Sequence, residues 1–189
     1  IRDRATGWQG VGILPWFPQA RFLPAEDILD IRGKSGDARD GAPVRIAVPV
    51  LRRIANFDDL DPLAGETDVD VTLVEAGDVI PADADLILLP GSKSTISDLT
   101  FLRDQGWDID IAAHLRRGGM VMGLCGGYQM LGTRLDDPDG VEGPAGDTPG
   151  LGYLGVETVL AGDKRLTQVT AHANAFDVPV RGYEIHMGR

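Results

Sequence analysis

The sequence predicts a doubly wound α/β domain, a mostly parallel sheet flanked by helices with an antiparallel extension at its C-terminal end. Three observations carry this. The runs Leu86 to Leu89 and Met120 to Leu124 are apolar without interruption, as strands buried on both faces of a parallel sheet are. Stretches with helical spacing alternate with them. The tail then changes character and offers further extended segments.

Taken in order, residues 1–43 hold a short apolar run, Val11 to Leu14, closed by Pro15. Pro18, Pro24 and a polar, glycine-containing stretch from Ile31 to Pro43 follow, and that stretch reads as a boundary. The body begins near Val44, giving a linker-like unit over 1–43 and a domain over 44–189. Arg45 to Val50 is a first expected strand, Asp70 to Val74 a second, Asp85 to Leu89 a third, and Met120 to Leu124 a fourth, apolar on both faces. The third ends in Pro90-Gly91. Thr95 to Arg103 places Ile96, Leu99 and Leu102 at helical spacing, with Ser97 and Asp98 near its start. Asp108 to Arg117 places Ile111, Ala112 and Leu115 on one side and ends at Gly118-Gly119, with Arg116 and Arg117 in the last turn. Asp136 to Pro149 reads as a surface loop. Leu151 to Leu160 and Leu166 to Ala175 read as two extended segments around Gly162-Asp163.

The chain has 189 residues, 43% hydrophobic and 25% charged, ordinary for one globular domain with some extra chain. Its formal net charge is −11, and residues 1–43 are charge-balanced, so the excess acid lies in 44–189. An acidic surface argues against nucleic acid or an anionic membrane as a partner. No stretch is apolar and long enough to span a bilayer, and no signal peptide pattern is present. A single cysteine excludes an internal disulfide, fits a reducing, cytoplasmic compartment, and makes that residue a candidate for chemistry. The start at Ile1 and the stop just past a motif read as a piece of a longer protein.

That cysteine is Cys125, between a buried strand and an expected helix, with Gly123 two residues before it and Gly127 two after. A nucleophile on a tight strand-to-helix turn needs this spacing, because side chains there would collide with neighbouring backbone. The turn would expose the sulfur at the C-terminal edge of the sheet, where open α/β folds bind ligands, and at a helix N-terminus, where the dipole favours the thiolate. Without its glycines, a lone cysteine reads as a small buried hydrophobe. The join Leu89-Pro90-Gly91-Ser92-Lys93 occupies an equivalent edge. The amide of Gly91 or Ser92, with that of Gly126, could bind the oxyanion of a tetrahedral intermediate, or the join is an ordinary turn.

Thiolate chemistry needs a base, and the chain offers His114, His172 and His186. His114 falls inside a helix beside Arg116 and Arg117 and reads as solvated. His172 falls in an expected strand. His186, in the glycine-flanked stretch Gly182 to Gly188, is the choice for the base. Gly33-Lys34-Ser35 resembles part of a phosphate loop, but Ile28 stands where the earlier glycine is required and no strand leads in. Gly10-Val11-Gly12 lacks a third glycine, Pro15 standing in its place. Three dispersed histidines and one cysteine make no zinc set, so no metal or nucleotide site is expected in this chain.

At these residues the chain resembles a known family. Gly123 to Gln129 is similar to the nucleophile motif of class I (triad-type) glutamine amidotransferases, which share a flavodoxin-like fold. Leu89 to Thr95, Gly123 to Gly132, and Gly182 to Gly188 together resemble the cobyric acid synthase group of the cobalamin pathway. Gly12-Ile13-Leu14-Pro15 and Leu23 to Asp27 resemble the end of that group's synthetase domain and its linker. The resemblance implies that Cys125 attacks the glutamine side-chain amide, that Gly91 and Gly126 supply oxyanion amides, that Gln129 contacts substrate, and that His186 is the base. It implies an N-terminal ATP-dependent synthetase domain as partner, holding ATP and Mg²⁺, where ammonia amidates corrinoid carboxylates. Gly188 stands where many class I members carry a Glu that orients the histidine, so a Cys–His dyad is implied, with Glu184 a candidate for contact with His186 or a partner. Cobyrinic acid a,c-diamide synthases and the glutaminase partner of a lipid II isoglutaminyl synthase carry similar cysteine turns, and a non-catalytic docking module is the reading from a different class.

Overall fold

In the computed structural model, residues 43–161 and 165–186 are described. The central sheet has four parallel strands in the order β3-β1-β4-β6, with β1 Val44–Pro49, β3 Val69–Val74, β4 Leu86–Leu89 and β6 Met120–Gly123. A two-residue strand β2, Ile54–Ala55, follows β1, and a second, β5, Gly91–Ser92, follows β4; the two pair antiparallel with each other. A short 3-10 turn, Phe57–Leu60, runs into helix α1, Asp61–Gly65. Helices α2, Thr95–Asp104, and α3, Trp107–Arg116, lie between β4 and β6, and α4, Gly126–Met130, follows β6.

Uninterrupted apolar strands are explained by burial on both faces. In β1, Ala47 faces one core while Ile46 and Val48 face the other; in β4, Ile87 and Leu89 alternate with Leu88 in the same way. The larger core packs Leu99 and Leu102 of α2, Trp107 and Ile111 of α3, and Met130 against the sheet. Strand alternation sends successive side chains to opposite faces, so a strand covered on both sides has no polar position to spare. Trp107, fully buried, donates its indole N–H to the Asp78 carbonyl at 2.8 Å and meets the Phe101 ring edge-on at 5.6 Å. The indole is thereby satisfied in both its apolar body and its polar edge.

Three expectations are corrected. The strand Met120–Gly123 is apolar but not buried on both faces: Met120 is 64% and Met122 50% exposed, because β6 is an edge strand and the helices cover its other face. The stretch 136–149 is not simply a loop. Strands β7, Arg134–Asp137, and β8, Gly146–Pro149, pair antiparallel across it, and β9, Glu157–Val159, adds to β7 in parallel. The antiparallel pairing at the C-terminal end joins 165–173 to the segment after it and not to Leu151 to Leu160, and Gly162-Asp163 lie outside the described residues. Strands β10, Arg165–Ala173, and β11, Val178–His186, pair around residues 174–177 as a separate two-stranded sheet. Asp177 takes the left-handed conformation in that turn at φ +53°, as short polar residues tolerate. The expected unit over 1–43, including Gly33-Lys34-Ser35, lies outside the described residues but for Pro43.

Candidate functional site

The site is built where β4 and β6 end. Parallel neighbours deliver their C-terminal ends to one edge, so the joins after Leu89 and after Gly123 meet there. Cys125 occupies the position before α4 with φ 48°, ψ −111°, a backbone conformation L residues rarely adopt. Such strain costs about 1–3 kcal/mol and persists only where the surroundings impose it. They impose it here. Leu124 N–H donates to the Leu89 carbonyl at 2.9 Å, Gly127 N–H to the Leu124 carbonyl at 2.8 Å, and Gln129 N–H to the Cys125 carbonyl at 3.1 Å. A Cβ on Gly123 would lie 2.5 Å from the carbonyl carbon and oxygen of Gly127, and one on Gly127 would overlap the Leu89 carbonyl oxygen. The two glycines therefore let the turn fold back on itself, and Cys125 is left exposed at its tip. The expected helix follows and is five residues long.

The Gly91 join comes to the same place. A Cβ direction on Gly91 points to within 3.7 Å of the Cys125 Cβ, and one on Gly126 to within 3.0 Å of the Ser92 amide nitrogen and 3.2 Å of Thr95 Oγ1. Thr95 Oγ1 in turn donates to Gln129 Oε1 at 3.3 Å, linking α2 to α4. Cys125, Gly126, Gln129 and Gly91 are thus brought into one cluster by two strand-to-helix joins.

The histidines are distributed differently. His186 closes β11 opposite Arg165, and its side chain lies outside the described residues. Glu184 stands opposite Thr167 in the same hairpin. His172 is exposed and faces Asn174 and Asp177 across the turn. His114, expected to be solvated, is 2% exposed: its Nε2 is 2.9 Å from the Met120 carbonyl and its ring fills the space over Gly119. The reason is helical phase. His114 shares the inward side of α3 with Trp107 and Ile111, whereas neighbouring Arg116 and Arg117 do not. A cavity of about 550 Å³ lined by His114, Arg117, Asp83, Asp85 and Met120 opens at that end of the sheet, away from Cys125.

Sequence reasoning missed two acidic residues. Asp98, read only as a helix-start residue, is fully buried; its Oδ2 accepts from Ser92 Oγ at 2.6 Å and from Arg53 N–H at 3.3 Å. Burial pushes its carboxyl above the ordinary value of 3.8, opposed by the Ser92 hydroxyl, the Arg53 and Arg52 amides and the Arg53 charge. Asp137, also fully buried, accepts the Val141 amide at 2.7 Å and the Glu142 amide at 2.9 Å. That fixes the 138–145 connection so that Glu142 accepts the Ile96 amide in the first turn of α2, at 2.9 Å, one residue from Thr95. Asp98 meets Arg53 from 45 residues away, and Asp137 reaches α2 only through Glu142, whose Ile96 contact spans 46 residues, so no local pattern announces either role. Among the described residues no group of three or more His, Cys, Asp or Glu could hold a metal ion, and no helix is long and apolar enough to cross a membrane.

A model of the CobB/CobQ-like glutamine amidotransferase domain matches residues 45–189. The chain is similar to proteins named cobyric acid synthase: 62% identical over 184 residues to that of Rhodobacter capsulatus and 59% over 184 residues to that of Paracoccus denitrificans, covering 97% of this chain and 37% of each relative. It is 59% identical over 187 residues to that of Bradyrhizobium diazoefficiens, covering 99% of this chain and 38% of the relative. The chain thus spans little more than a third of the length of these relatives. Among solved structures, PurLQS from Thermotoga maritima superposes with a TM-score of 0.53 at 19% identity, over 77% of this chain and 67% of that one. A structure described as a glutamine amidotransferase gives 0.51 at 14% identity, over 75% and 70%. At such identities the structural likeness speaks for the fold.

Proposed function

The chain belongs to the CobB/CobQ-like glutamine amidotransferase family, and from that premise we propose that it hydrolyses glutamine through Cys125 and supplies the ammonia to an ATP-dependent synthetase domain. The observation that carries the reading is the exposed Cys125, held in a strained conformation by the close approach of Gly123 and Gly127 and set beside Gly91.

The Cys125 thiolate adds to the carboxamide carbon of glutamine, and the carbonyl oxygen takes the negative charge. Amide donors of Gly91 and Gly126 stabilise it, and Gln129 contacts the substrate. The C–N bond then breaks, His186 protonates the departing nitrogen, and ammonia leaves behind a thioester. Water, deprotonated by His186, attacks the thioester; glutamate leaves and the sulfur returns to the thiolate. With Gly188 in place of a triad Glu, the histidine ring is oriented by another group, for which Glu184 is the candidate. ATP and Mg²⁺ belong to the synthetase domain, and no step of glutamine hydrolysis passes through them. The identity to cobyric acid synthases supports corrinoid carboxylates, those of adenosylcobyrinic acid a,c-diamide, as the final ammonia acceptors.

The test uses the full-length enzyme. Cys125→Ala and Cys125→Ser are expected to abolish glutamine-dependent amidation of the corrinoid diamide while ammonia-dependent amidation continues. Retained glutamine use by the alanine variant would overturn the role of Cys125.

A further inference from the structure

Asp98 is buried without solvent contact; the Arg52 amide lies near its carboxyl, but no donor meets Oδ1 in hydrogen-bond geometry. Burying a carboxyl group with an unused oxygen costs free energy that a helix N-terminus alone does not require, since an exposed Ser or Asp serves there equally well. The remaining oxygen shows what Asp98 holds. Ser94 N–H donates to Ser92 Oγ at 3.0 Å, Ser92 Oγ donates to Asp98 Oδ2 at 2.6 Å, and Arg53 N–H donates to the same oxygen at 3.3 Å. Lys93 N–H donates to the Arg53 carbonyl at 2.8 Å, so Asp98 closes a ring around the β2–β5 pair in which Ala55 stands opposite Gly91 and Ile54 opposite Ser92. That pair forms the wall beside Cys125: Gly91 faces the Cys125 Cβ, and the Ser92 amide faces Gly126.

We propose that Asp98 is a positioning residue for the oxyanion-binding backbone: through Ser92 Oγ and Arg53 N–H it sets the direction of the Gly91–Ser92 amides toward Cys125. The inference rests on the reading of Cys125 as nucleophile and of Gly91 as oxyanion donor. A donor must point where the oxyanion will form, and a two-residue strand has too few ladder bonds of its own to hold that direction. Asp98 supplies the hold from the first turn of α2, a rigid element packed into the core.

The test separates orientation of the amides from reactivity of the sulfur. Ser92→Ala, Asp98→Leu and Asp98→Asn are made in the full-length enzyme, and glutamine hydrolysis is compared with alkylation of Cys125 by iodoacetamide. Alkylation displaces iodide and forms no oxyanion. Ser92→Ala and Asp98→Leu are expected to lower kcat about 10- to 100-fold with little change in KM, and to leave the alkylation rate within about twofold, because a misaligned donor costs less than a deleted one. Asp98→Asn keeps an acceptor for Ser92 and Arg53 and is expected to recover most of the loss. Should Asp98→Leu fail to fold, Ser92→Ala carries the test. A folded Ser92→Ala enzyme with unchanged kcat, a parallel fall in hydrolysis and alkylation, or an Asp98→Asn variant as impaired as Asp98→Leu would each overturn the inference. Cys125→Ser is run alongside: if it still hydrolyses glutamine, the underlying reading fails, whereas loss in Cys125→Ser with full kcat in Ser92→Ala removes the role of Asp98 alone.

Discussion

Gly123 and Gly127 are in backbone contact across Cys125: a Cβ added to Gly123 would stand 2.5 Å from the Gly127 carbonyl carbon and oxygen and from the Tyr128 amide nitrogen. Neither glycine has a positive φ, so space and not dihedral freedom demands them. Gly123→Ala and Gly127→Ala are therefore expected to destabilise the fold by about 1–3 kcal/mol, the range of overpacked cores, as measured by the denaturant midpoint. Gly65→Ala is the matched control. Nothing lies within 4 Å of its Cβ position in α1, and it is expected to be neutral or slightly stabilising. Equal effects at all three positions would contradict the close-approach account.

The buried carboxyl of Asp98 makes a prediction about pH. Its value in the folded protein is raised above 3.8, chiefly by burial. Below 3.8 the group is protonated in both folded and unfolded chains and contributes nothing. As pH rises past 3.8 toward the folded value, only the unfolded chain releases the proton easily, so stability is lost, and above the folded value the full cost persists. Asp98→Asn keeps a neutral side chain throughout. It is expected to raise Tm relative to the parent protein near about pH 7 and to show a smaller gain near about pH 4, read by thermal unfolding at both. An identical gain at the two pH values would contradict the assignment.

His114 offers a control on the choice of base. Its ring is buried against the start of β6 at Met120, with Cys125 beyond the far end, about 16 Å along an extended chain. His114→Ala removes a packed ring and leaves the Met120 carbonyl without that partner. The expected result is a loss of about 2–4 kcal/mol of stability with kcat for glutamine hydrolysis unchanged below the melting temperature. A fall in kcat in the folded variant would return His114 to consideration as the base.

Much of this molecule is legible locally. Alternation of apolar strands with helical spacing determines the parallel sheet, because each strand buried on two faces excludes polar residues and each helix needs an inward stripe. Glycines two residues either side of Cys125 determine the turn, because only a residue without a Cβ survives that approach. Segment Leu89 to Thr95 likewise carries its strand-to-helix join in its composition. Tertiary structure decided what local patterns leave open. Polar residues on a helix read alike whether they face water or a neighbour, so the inward turn of Asp98 onto Ser92 and of His114 onto Gly119 depended on what packs there. Edge position decided that Met120 and Met122 stay exposed, since apolar composition reports a strand but not its place in the sheet. Strand partnership decided the hairpin: β10 pairs forward with β11 around residues 174–177, because register is a relation between two segments and is written in neither alone.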